Sequence, residues 1–425
     1  MKYDLNKRFF AMKTIRFFFC FMLILPFLGC TSDDGSSETA VFAVPIVKSL
    51  DAIRSGISVT GARETNSDGK IYVSQNYLFY IAQEEGIHVF DNQNPASPQN
   101  IAFIALEGVH DIAVKGNHLY ADNFVDLVTF DISSIQNITV INTLQNVFSF
   151  YPVFPDEAEF YDYTVMPNAN EIIVGYNLET KKRPNGMEIG FANDAFESAQ
   201  GAGGIVGVGG SYARFQINNN ALYVIEPFHL NVINISNPLQ PVYVSPIYMT
   251  EWFGGGQFET LFKQKDYLFV GATNGMFVFN ATDEFNPYYV SGFSHATACD
   301  PVVVNQTTAY ITVRGGTTCG AIEDQINVID ISTISNPTLV STYLIAEPYG
   351  LGYRSNTLYV CCKNGGLKVF DATNGSALSL ENTYADIVTD VIPLDSHLIA
   401  VGMNKIIQYN YGPDFTLQQL SVVNF

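Results

Sequence analysis

Basic residues are in short supply. The 425-residue chain sets 21 Lys and Arg against 41 Asp and Glu, a formal charge of −20. The first 29 residues hold five basic groups and one acidic group, so the remainder stands at −24. Such a surface repels a phosphate backbone, and nucleic-acid binding is not expected. The first reading of the charge is solubility with weak self-repulsion, and no cofactor is expected; attraction of basic partners or Ca²⁺ is the alternative. Long apolar runs are missing too. The most apolar stretch, residues 17–28, is about twelve residues, well short of the ~20 that span a bilayer. Common catalytic signatures are absent. The six histidines (His88, His110, His118, His229, His295 and His397) form no HExxH or paired spacing. No glycine-rich phosphate loop opens a helix, and no nucleophile elbow occurs. The single tryptophan, Trp252, precedes Gly254-Gly255-Gly256 in a loop. That place suits stacking on a sugar ring or simple loop anchoring.

What is present begins with Cys30. Lys13 and Arg16 precede the short apolar run, Gly29 precedes Cys30, and Thr31-Ser32-Asp33-Asp34 follow. A basic start, a short apolar core and a small residue before the cut describe a secretory signal. With Cys directly after Gly29, the pattern resembles the lipobox of bacterial lipoproteins. The resemblance implies that Cys30 becomes the lipidated first residue of the mature chain and inserts in a membrane. The acidic Ser-Asp-Asp after Cys30 is similar to the export tag of Bacteroidetes surface lipoproteins. The address implied is the outer membrane and the cell surface, with the periplasmic face as the alternative.

Thiols tend to oxidise beyond the inner membrane. Cys20 leaves with the leader, and Cys299, Cys319, Cys361 and Cys362 stay. Cys299 precedes one expected strand and Cys319 follows the next, across a hairpin, so a disulfide between them is expected. Its loop of about twenty residues would stabilise by ~3 kcal/mol. No zinc or other metal site is expected there, because no further Cys or His stands at ligand spacing. Cys361 and Cys362 lie within an expected strand and would point to opposite faces. Buried thiols are the first reading for them, a vicinal disulfide the second.

Two signals recur along residues 70–425. One is an apolar-aromatic strand, as in Tyr77-Leu78-Phe79-Tyr80 and Thr357-Leu358-Tyr359-Val360. The other follows about ten to twenty residues on and ends in Asp or Asn, at Asp91, Asp131, Asn234, Asn280, Asp330, Asp371 and Asn410. These closing positions are spaced 40, 103, 46, 50, 41 and 39 residues apart. A period of about 40–50 with four short strands per unit marks propeller blades. Asn-Pro at 94–95, 237–238, 286–287 and 336–337 fits a corner into an outermost strand. The expected fold is all-β, a propeller of seven blades of four antiparallel strands, with eight blades, one degenerate, as the alternative. Residues 1–29 then form the signal peptide, 30–40 a lipidated flexible tether, and 41–425 one propeller with an insertion at about 148–210. Residues 163–166 and 171–176 read as a hairpin within the insertion, and the glycines from Gly201 to Gly210 as flexible. A propeller usually closes by joining its termini in one blade. Residues 41–44 or 57–59 would supply the closing strand.

The units resemble the LVIVD repeat, best at Ile326-Asn327-Val328-Ile329-Asp330 with Asn336-Pro337. Residues 298–304, 314–320, 348–352 and 365–371 are similar to LVIVD lipoproteins of the Bacteroidetes. The resemblance brings no established activity and no catalytic residues.

Aligning the units places one residue of each at the start of an innermost strand: Lys70, Asp111, Arg214, Thr260, Pro301, Gly350 and Asp390. His110, Glu259 and Asp300 come one residue earlier in three units. Together these form a candidate ring at one mouth of the central channel. A ring of both charge signs suits a sugar, a metal ion or a charged peptide, and equally a solvated rim of compensating charges. Two of its acids held about 5–10 Å apart would suit glycoside hydrolysis. The expected function is non-enzymatic binding or scaffolding of a protein or glycan through the propeller faces and this mouth. The alternatives are an extracellular glycan-acting hydrolase or lyase, or a structural subunit of an envelope complex.

Overall fold

The computed structural model describes residues 39–64, 69–83, 85–183, 208–248, 256–294, 301–315, 323–375, 377–402 and 404–424. Cys30, Trp252, Cys299, Asp300 and Cys319, and with them the expected anchor and disulfide, lie outside these residues.

Local chemistry explains the repeat. In unit after unit the closing residue folds its side chain onto the backbone two positions on. Asp91 accepts from the Gln93 amide (2.9 Å), Asp131 from Ser133 (2.8 Å) and Asn234 from Ser236 (2.9 Å). Asn280, Asp330 and Asp371 do the same with Thr282, Ser332 and Thr373, each at 2.8 Å. These bonds turn the chain out of each third strand. In the Asn-Pro corners, Asn94 and Asn237 likewise accept from Ala96 (3.2 Å) and Leu239 (3.1 Å).

Among the described residues seven antiparallel blades result, six of four strands and one whose four strands gain a further strand at each edge, and within each blade the four strands pair in sequence order. Their innermost strands are Gly69–Ser74, Ile112–Lys115, Phe215–Asn218, Phe258–Gln264, Val302–Asn305, Pro348–Arg354 and Asp390–Pro393. We number them blades 1 to 7. A register shift recurs at one place in every blade, where the third strand meets the fourth, as at Val89/Phe90, Val278/Phe279 and Gln408/Tyr409. Such a bulge adds twist. Blades stack face to face, so their middle strands are covered on both sides and read as unbroken apolar runs. Tyr223 and Val232 of blade 3, for example, share a core with Leu268, Val270 and Phe277 of blade 4.

The wheel closes differently from expectation. Residues 390–424 supply all four strands of blade 7, and among the described residues no N-terminal strand completes it. The segment Ser58–Thr60 pairs instead with Phe103–Ala105 as a fifth strand on the outer edge of blade 1. Closure rests on side chains. Ile392, Ile399, Val401 and Ile406 of blade 7 join one core with Ile71, Leu78 and Phe90 of blade 1. The buried amides of Asn92 and Gln408 exchange two hydrogen bonds, at 2.7 and 3.2 Å.

The 103-residue interval holds an extra unit. Thr39–Ser49 pairs antiparallel with Glu171–Lys182 and parallel with Phe160–Tyr161, making a three-stranded sheet. The expected hairpin partner of residues 171–176 is therefore wrong. Residues 163–166 are a turn, because Asp162 accepts from both the amide (2.9 Å) and the hydroxyl (2.6 Å) of Thr164. A short helix, Leu50–Ser55, follows, capped by the Ser49 hydroxyl. Its Arg54 grips Asp126 of blade 2 with two bonds of 2.6 and 3.0 Å. Leu50, Ile53 and Ile172 pack on Val125 of the same blade.

Candidate functional site

Connections between blades, and the turn between second and third strands, fall on the face where the innermost strands begin. This follows from four antiparallel strands per blade. The inter-blade insertion and the candidate ring thus belong to one face.

Of the ring residues, Lys70, Asp111, Arg214 and Asp390 lie within one electrostatic field, but the described ring residues do not line an open mouth. Lys70, Asp111, Glu259, Thr260, Pro301, Gly350 and Asp390 are buried, Arg214 is half-buried, and only His110 keeps substantial side-chain exposure, 38%. The insertion is the cause. After residues outside the described set, Val208–Gly209 pairs with Tyr72 and Val73, adding a short strand on the channel side of blade 1's innermost strand. Residues 210–215 then cross to blade 3. On the way the Ser211 amide and hydroxyl donate to Asp390 (both 3.2 Å), while the Ser211 oxygen accepts from the Leu351 amide (2.9 Å). The Leu261 amide donates to the Ala213 carbonyl. The amides of Arg214 and Phe215 donate to Asp111, at 2.9 and 3.2 Å. Asp111 and Asp390 each also accept from the amide of the next residue, Ile112 (2.8 Å) and Val391 (2.9 Å). Gly210, expected to be flexible, is needed for this crossing. A Cβ on Gly210 would overlap the Asp390 carboxylate.

Burial shapes the charges. It pushes Asp390 up to about 7, against the Ser211 and Val391 donors that pull it down. It raises Asp111 and lowers Lys70, each opposed by the charge of the other. The Lys70 amine has no hydrogen-bond partner among the described residues and serves as the counter-ion of these acids. Beside them lie the buried Tyr212, whose hydroxyl burial pushes far above its usual range, and Arg314, 4.4 Å above the Tyr349 ring.

His110 differs from its neighbours. Asp122 accepts from the His110 amide (2.9 Å) and the Asp111 amide (2.8 Å), and its second oxygen meets His110 Nδ1 at 3.0 Å. Burial raises Asp122, but these bonds outweigh it and hold the carboxyl below its usual range. The ring is thereby fixed with Nε2 turned away from Asp122, an arrangement able to move a proton.

Asp122, Ser211 and Tyr212 were not singled out in the sequence, and Arg314 only as the first residue of the segment 314–320. Asp122 had a signal. At its place in the second strand the other blades carry Ile81, Ile225, Gly271, Thr312, Cys361 and Val401. Cys361 and Cys362 are buried free thiols, with burial raising both. Among the described residues no group of three or more His, Cys, Asp or Glu is placed to hold a metal ion.

Three segments match the LVIVD repeat, at residues 68–102, 108–142 and 308–345, within blades 1, 2 and 5. No curated protein matches the chain. Among solved structures the chain is similar to the periplasmic gluconolactonase PpgL of Pseudomonas aeruginosa, with TM-score 0.53, 10% identity, and 87% of this chain and 96% of that one covered. It is similar to a protein from Lactobacillus plantarum (TM-score 0.51, 12% identity, 86% and 98% covered). A computationally designed protein gives TM-score 0.51 at 11% identity, with 85% and 89% covered. At such identities these likenesses speak for the fold alone. The chain is an all-β propeller that carries LVIVD repeats.

Proposed function

We propose that this protein is an outer-membrane lipoprotein, anchored through Cys30 and facing the cell exterior, whose propeller binds a protein or glycan without transforming it. One observation carries the non-enzymatic part. Asp111 and Asp390, the paired acids a glycosidase would need, are buried and accept the backbone amides of residues 211–215. They hold residues 211–215 across the channel, and backbone amides occupy both carboxylates. The Cys30 pattern supports the anchor and the acidic residues after it the outward address. Among the described residues no helix is long and apolar enough to cross a membrane.

The test compares protease treatment of intact cells carrying the wild type with cells carrying Cys30→Ala. Loss of the wild-type protein by shaving, and its release from the membrane by the substitution, are expected. Full protection until the outer membrane is broken would sink the surface reading. A second reading, hydrolysis, rests on His110 held by Asp122. Turnover of a glycan or sugar lactone by the purified protein, lost in His110→Ala, would favour it over binding.

A further inference from the structure

The three-stranded sheet contributes nothing to closing the wheel, yet it carries a group of large aromatic side chains. Tyr161 and Tyr163 have ring centroids 4.6 Å apart, and Tyr161 and Tyr176 6.0 Å. Phe154 lies 6.3 Å from Tyr161 and 5.9 Å from Tyr176. Tyr163 is 71% exposed, with Met166 at 61% and Val153 at 47% nearby in the chain. Phe154, Tyr161 and Tyr176 are half-buried. An aromatic cluster that reaches the surface through a ring as exposed as Tyr163, flanked by exposed Met166 and Val153, marks a candidate contact site. We propose that Phe154, Tyr161, Tyr163 and Tyr176 form a platform that binds a neutral saccharide.

The geometry selects the occupant. Aromatic cages for quaternary ammonium groups hold the cation between rings. Here the rings already touch, so a ligand can only lie across their outer surface. Size argues against a protein or a second copy. Four aromatic side chains of about 200 Å² each, three of them mostly covered already, offer less than about 400 Å², against the ~800 Å² per partner of a stable protein interface. Charge argues against an anionic ligand. Lys181 meets both Asp162, between Tyr161 and Tyr163, at 2.6 Å and Glu179 at 3.0 Å, so one negative charge is left over. A sugar ring matches what remains, since its C–H face stacks on an aromatic ring and its hydroxyls suit the phenols at the rim. The phenols of Tyr161, Tyr163 and Tyr176 bond to no other described side chain.

This proposal rests on the binding reading above and names its ligand class and place. The full-length protein, purified in detergent, is titrated calorimetrically with cellohexaose, maltohexaose and laminarihexaose. One hexasaccharide is expected to bind, with Tyr163→Ala weakening it about tenfold, or ~1.4 kcal/mol. Tyr163→Phe should keep affinity within about threefold of wild type. Tyr288→Ala, at an exposed tyrosine on the outer strand of blade 4, should change nothing. Because Tyr163 is mostly exposed, its loss should leave the melting temperature unchanged. No binding up to about 10 mM, undiminished binding by Tyr163→Ala, or an equal loss in Tyr288→Ala would overturn the platform. In each of those cases capture of another ligand would leave the binding reading standing. Cleavage of the bound hexasaccharide would instead remove that reading while sparing the platform.

Discussion

Asp390 shows how one side chain is placed by what its neighbours lack. It stands between Gly210 and Gly350, and a Cβ on either would overlap its carboxylate. Gly210→Ala should therefore force the crossing segment and Asp390 apart and destabilise by about 1–3 kcal/mol, as overpacking of a dense core does. Thermal unfolding measures it. The same residue gives a pH signature. Its folded value, about 7, lies above the ordinary carboxyl value of about 4, so the folded protein holds this proton more tightly than the unfolded chain. That stabilisation is complete below about pH 4 and is lost as the pH rises through about 7. Compared with Asp390→Asn, the wild type should gain a few kcal/mol on going from about pH 8 to about pH 4. Lys70, Asp111, Asp122 and Arg214 share the same field, which is why the measurement is a difference between two proteins that keep them all. A difference in melting temperature that stays flat over this range would show that Asp390 is ionised throughout.

Among the elements, the three-stranded sheet is the one held from outside. Its attachment runs through Arg54, which closes two bonds on Asp126, a side chain only 1% exposed. Asp126 also accepts from the Asn146 amide at 2.8 Å, so the carboxylate ties both ends of the extra unit to blade 2. Arg54→Ala would leave that buried charge without its cation, which costs about 3–5 kcal/mol. The cost should fall on the attachment and not on the wheel. Limited proteolysis is expected to cut residues 49–61 faster, while amides in the second strands of blades 3 to 6 keep their exchange protection. Equal loss of protection everywhere would mean that the sheet and the wheel unfold as one unit. The pairing of Thr39–Ser49 with Glu171–Lys182 was not legible in the sequence. Both strands alternate well enough, but their partners are more than a hundred residues apart. The nearer hairpin looked better until Asp162 turned the chain away.

For the whole molecule the question is closure. Most propellers bind the last blade with a strand from the other terminus. Here the ring closes on an apolar layer and on two buried amides, Asn92 and Gln408. Gln408→Ala removes both bonds and strands the Asn92 amide in the interior, at about 1–3 kcal/mol. Since blade 7 is joined to blade 1 by side chains and not by backbone pairing, it should open first. Hydrogen exchange should show residues 390–424 losing protection before blades 3 to 5 in this variant. Uniform loss across all seven blades would mean that closure is no weaker than the other inter-blade seams.

The sequence by itself determined the blades. Six of the seven closing residues, all but Asn410, form their turn with an amide two residues away, and each middle strand is apolar because both faces are covered. Such signals are local, so they survive in a one-dimensional reading, and the number of repeats follows from them. It also brought Lys70, Asp111, Arg214 and Asp390 to one ring, since equivalent positions on a wheel must meet at its axis. What the ring does was decided only in three dimensions. The insertion returns through the channel and bonds to the very acids that an open mouth would have offered to a ligand. No spacing encodes that return, because the partners Ser211 and Asp390 are 179 residues apart. The aromatic platform is likewise a product of tertiary structure. Its four residues are unremarkable in sequence, and only the turn at Asp162 and the strand from the N-terminal region bring their rings together.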